Sequence, residues 1–105
     1  MVRTFSCAKL PQSELDYVLE RYRPIAKQVE NGAGEIIEAV DKQGHLPATH
    51  FRNEENTDFG PLAQDFLVLI LDAEPYKPED WNHGHTYGVA VSTQRREVIF
   101  WAEYW

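Results

Sequence analysis

Cysteine is nearly absent from this chain: Cys7 stands alone. A single thiol excludes an internal disulfide and any zinc cluster built on cysteine, so nothing in the fold calls for an oxidising compartment. Long hydrophobic runs are missing as well. The most apolar stretch, residues 66–71, is far too short to cross a bilayer, and residues 1–10 lack the apolar centre of a signal peptide. The chain is therefore expected to lack a membrane span and to work in the cytoplasm. Internal repeats, low-complexity tracts and Gly/Ser linkers do not occur. No serine sits in a Gly-x-Ser-x-Gly turn, and Gly32-Ala33-Gly34 is too short to cradle a phosphate and is not followed by Lys-Ser or Lys-Thr. Serine hydrolysis and nucleotide binding thus have no support, and no cofactor is expected.

Positive charge is also in short supply, with 10 Lys and Arg against 17 Asp and Glu. The deficit is local. Residues 53–80 hold eight acids against Lys77 alone, while the rest of the chain balances nine acids with nine bases. Such a segment repels phosphate backbones and attracts cations, which argues against direct nucleic-acid binding and for a basic partner or a solubilising surface.

What is present suffices for one core. At 105 residues and 43% hydrophobic composition, with five Phe, five Tyr and three Trp, residues 1–105 read as a single domain. Residues 3–10 suggest a short first strand. Ser13 with Asp16 resembles a capping box, and Leu15, Val18, Leu19, Tyr22, Ile25, Ala26 and Val29 follow at helical spacing, predicting a helix over 13–31 that Pro24 kinks or restarts. Residues 34–40 fit either a helix face or a strand, and the turn-like residues 41–44 favour a hairpin leading to 46–51. Residues 52–64 read as a surface loop, the run 66–71 as a central strand covered on both faces, and 72–84, with Pro75 and Pro78, as irregular.

The end of the chain predicts a hairpin around a four-residue loop, 93–96. That loop sets Ser92 opposite Glu97, Val91 opposite Val98, Val89 opposite Phe100 and Tyr87 opposite Ala102, with Ala90 facing Ile99 and Gly88 facing Trp101 on the other side. The fold class expected is α+β: a two-layer, mostly antiparallel sheet of about five strands with one kinked N-terminal helix packed on one face.

For chemistry, His83-Gly84-His85 is the sharpest local feature, because residues two apart on a strand project to one side and can offer two imidazoles to a metal. No third ligand follows at a fixed spacing. His50, Glu97 and Glu103 serve only if the fold brings them close, and local hydrogen bonding accounts for the histidines more simply. Cys7, beside Phe5 and Ala8, reads as a small buried residue, and the carboxylate pairs Glu54-Glu55 and Glu79-Asp80 as solvated loop acids.

The functional reading is a non-enzymatic protein-binding domain, an inhibitor or immunity-like module. Its acidic, aromatic surface of Glu54, Glu55, Asp58, Tyr76, Glu79, Asp80 and Trp81 would mask a basic partner. The alternatives are a small metal-dependent enzyme using His83 and His85 with a carboxylate, and a structural subunit that pairs with a second copy through Ile99, Trp101 and Trp105.

Overall fold

A computed structural model describes residues 2–39, 62–74 and 84–104. Six strands and one α-helix fall among them, in the order β1 (Val2–Lys9), α1 (Gln12–Tyr22), a 3-10 turn (Arg23–Ile25), β2 (Gln28–Asn31), β3 (Ile36–Ala39), β4 (Leu67–Glu74), β5 (His85–Ser92) and β6 (Glu97–Tyr104). The strands form one sheet in the order β1-β6-β5-β4-β2-β3, and every neighbouring pair is antiparallel. The architecture is the expected α+β sheet with a helix on one face, with six strands rather than about five.

The helix is shorter than its apolar spacing predicts. Pro11, not Ser13, occupies the N-cap, and its carbonyl accepts from the backbone N–H of Glu14 and of Leu15. Glu14 in the first turn and Arg21 in the last suit the helix dipole. α1 stops at Tyr22 because Pro24 has no N–H to donate and its ring crowds the preceding turn. The chain passes through the 3-10 turn and turns extended at Ala26, and residues 28–31 become a strand. Ala26 and Val29 still join the same core as Leu15 and Val18, so the helical spacing beyond Tyr22 marks a shared core and not a shared helix.

The strand reading of 34–40 holds for Ile36–Ala39, which pairs with β2 among the described residues. The tight connection is set by Asn31, whose Oδ1 accepts from the N–H groups of Ala33 and Glu35, and by Gly34, which takes φ 86° where a side chain would be strained. The strand expected at 46–51 lies outside the described residues.

β4 runs between β5 and β2, as its unbroken apolar run implies. Leu69, Val89, Val91 and Val98 pack under Leu15 and Val18 of α1, and Val68, Ile70, Ala90, Ile99 and Trp101 form a second cluster on the opposite face with Phe66 and Ala73. Each fully buried aliphatic side chain contributes about 1.5–3 kcal/mol. Phe5, Leu62 and Ala63 pack against the second cluster, and Ile99 and Trp101 are buried within a single chain. Those two residues therefore need no second copy as a lid.

The terminal hairpin has the predicted register throughout. Asp65 tethers its turn, accepting from the Ser92 hydroxyl and from Arg95 Nε at 2.9 Å. The Arg95 guanidinium and the Ser92 hydroxyl together hold the Asp65 carboxyl below the usual carboxylate range.

Candidate functional site

Residues 72–74 extend β4 where an irregular segment was expected, and a β-bulge just before them decides which face carries Asp72. Ile70 pairs with Gly88 and Asp72 with Tyr87, so Leu71 is the extra residue. Strict alternation would point Asp72 with Ile70 into the cluster around Trp101. The bulge turns it to the helix-side face instead, beside Tyr87 and His85.

There Asp72 Oδ2 lies 2.7 Å from His85 Nε2, and Oδ1 accepts from Lys27 Nζ. Lys27 is fixed in turn by its backbone N–H, which donates to the Ile70 carbonyl at 2.9 Å. Partial burial alone would raise the Asp72 pKa, but the hydrogen bonds and charges of Lys27 and His85 outweigh it and hold the carboxyl below the usual range. The His85 ring stands 6.1 Å from Tyr87, nearly parallel at 15°, and 6.1 Å from Tyr104 at 33°. Glu74, exposed, pairs directly with His85 across β4 and β5 and has no ion-pair partner among the described residues.

α1 covers only part of this face. Tyr22, at its last turn, meets Phe100 edge-on at 6.0 Å, and beyond that contact Tyr87, Phe100 and Tyr104 remain 39%, 37% and 54% exposed. An aromatic half-face with a His–Asp–Lys cluster and an exposed carboxylate is thus open to solvent. Such a surface can bury rings against a partner at low entropic cost while its acids select the partner's charge.

Of the residues singled out in the sequence, His85 lies in this site and gains a carboxylate neighbour. His83, and all seven proposed partner-binding residues, Glu54, Glu55, Asp58, Tyr76, Glu79, Asp80 and Trp81, lie outside the described residues, as does Trp105. No three His, Cys, Asp or Glu side chains converge as a metal site among the described residues, and Lys27 already neutralises the carboxylate beside His85. Cys7 is exposed on β1 rather than buried. Partial desolvation and the nearby Glu97 charge push its thiol up, away from the reactive thiolate.

The sequence reading overlooked Lys27, Asp72, Tyr87 and Tyr104 as a group. His85 and Tyr87 sit two apart on a strand, a signal that was legible, but the bulge that adds Asp72 leaves no mark in the sequence. Also unanticipated were Glu30 and Glu103, both buried on the face opposite α1, where Glu30 accepts from Gln28 Nε2 at 3.0 Å. Glu30 reads as the polar side of a helix until residues 28–31 are seen as a strand. Compared with family models, with curated proteins and with solved structures, the chain matches none.

Proposed function

We propose that this chain is a non-enzymatic protein-binding domain, an inhibitor or immunity-like module that masks a basic surface of another protein. The reading rests on one observation: the helix-side face of the sheet leaves Tyr87, Phe100 and Tyr104 open to solvent beside the exposed Glu74 at the end of β4. The charge pattern supports it. Two of the eight acids in residues 53–80, Asp65 and Asp72, are neutralised by Arg95 and by Lys27. The remaining six, Glu54, Glu55, Asp58, Glu74, Glu79 and Asp80, are the carboxylates assigned to an incoming basic surface, with Tyr76 and Trp81 as further anchors.

Masking works by occlusion. The aromatic rings exclude water over the contact, and the surrounding acids speed encounter with a basic protein and fix its orientation. Charge reversal tests the assignment. The wild type and a Glu54→Lys, Glu55→Lys, Glu79→Lys, Asp80→Lys variant are used to capture proteins from source lysate at low and high salt. A basic protein retained by the wild type, released by salt and absent from the folded variant is the expected result. Equal capture by both proteins contradicts it.

A further inference from the structure

We infer that His85, Tyr87, Tyr104 and Glu74 form a receptor for an arginine side chain of the partner, an inference that rests on the protein-binding reading. Direct pairing puts Glu74 and Tyr104 on either side of His85, on β4 and β6, and Tyr87 follows two residues along β5. Three rings therefore meet at one corner of the open half of the sheet, Tyr104 flanking His85 across the strands and Tyr87 flanking it along β5, with an exposed carboxylate on the other side of His85. The Asp72 bond to Nε2 fixes the imidazole plane near-parallel to Tyr87, and Lys27 fixes Asp72, so the receptor is oriented before any ligand arrives.

A guanidinium fits this arrangement better than an ammonium. It is planar, weakly hydrated and stacks on rings, and its N–H groups meet a carboxylate in two parallel bonds. Asp72 is occupied, so Glu74 is the carboxylate left to accept those bonds. A neutral ligand gains no charge pairing from Glu74, and the overall charge of −7 opposes an anion.

The probe is the capped peptide acetyl-Gly-Arg-Gly-amide, titrated into untagged protein while the ring resonances of His85, Tyr87 and Tyr104 are followed by NMR; the lysine peptide serves as control. We expect saturable shifts in those three rings, with the lysine peptide binding several-fold more weakly. Glu74→Gln and Tyr104→Ala should each weaken the arginine peptide about fivefold, and Tyr104→Phe, which keeps the ring, should restore it. Both altered side chains are exposed, so loss of folding, checked by backbone spectra, is not expected. Equal binding of the two peptides, or shifts that bypass the three rings, overturns the receptor. The captured basic protein separates this failure from that of the parent reading. Retention undiminished by Glu74→Gln and Tyr104→Ala sinks the receptor alone, whereas the absence of any charge-dependent basic partner sinks the binding function.

Discussion

Gly88 and Trp101 are directly paired across β5 and β6, and a Cβ on Gly88 would fall 2.4 Å from Trp101 Cη2 and 2.1 Å from the Leu69 carbonyl oxygen. The indole fills the space that the missing side chain leaves.

Gly88→Ala should therefore destabilise the domain by about 1–3 kcal/mol, the usual cost of overpacking a closed core. Adding Trp101→Leu removes the ring clash but not the carbonyl, and creates a cavity of its own. The double variant should stay below the wild type in urea melts, and a wild-type midpoint for Gly88→Ala would refute the packing.

Leu69→Asp and Val89→Asp should each abolish folding, since both positions are fully buried under α1 and neither offers a partner for a charge. Far-UV circular dichroism reads the loss. Glu79→Lys, a change in the acidic segment assigned to partner contact, should leave the melting temperature almost unchanged. A folded Leu69→Asp protein would contradict the placement of β4.

How far the sequence led can be judged from these residues. The terminal hairpin was legible down to its register, because a four-residue turn and strict alternation on both arms allow a single pairing. The central place of β4 followed from a run apolar on both faces. Residues 28–31 were misread because Ala26 and Val29 continue the helical spacing by coincidence, pointing into the same core from a different element. Asp72 was invisible as a site residue, since alternation alone would bury it, and only the bulge at Leu71 brings it to His85. The seven proposed contact residues fall in residues 54–58 and 76–81, where no apolar periodicity constrains the chain.

Arg96 closes the hairpin turn with φ 54°, a left-handed conformation that costs a residue with a Cβ about 1 kcal/mol. Arg96→Gly should accordingly raise stability by about 0.5–1 kcal/mol, while the bond from the Leu10 N–H to the residue 96 carbonyl persists. Thermal or urea unfolding gives the answer, and a loss of stability would show that the arginine side chain matters more than its backbone.

Asp72 should make stability depend on pH in a defined direction. Its folded pKa lies below the ordinary value, so the folded state favours the carboxylate. The resulting stabilisation is complete above the unfolded pKa, near pH 4, and fades as pH falls through the folded one. Asp72→Asn should be less stable than the wild type at pH 7 and should lose less on acidification from pH 6 to 3. Parallel pH profiles for the two proteins would mean that the Lys27 and His85 contacts add nothing.

If a basic protein docks on the open aromatic half-face, nitration of its tyrosines reports the contact. Tyr17, on the outer side of α1, is 61% exposed and serves as an internal control for Tyr87 and Tyr104. In the free protein all three should react with tetranitromethane. With the captured basic partner bound, Tyr87 and Tyr104 should be protected while Tyr17 reacts at its free rate. Unchanged nitration of Tyr87 and Tyr104 in the complex would place the interface elsewhere on the protein.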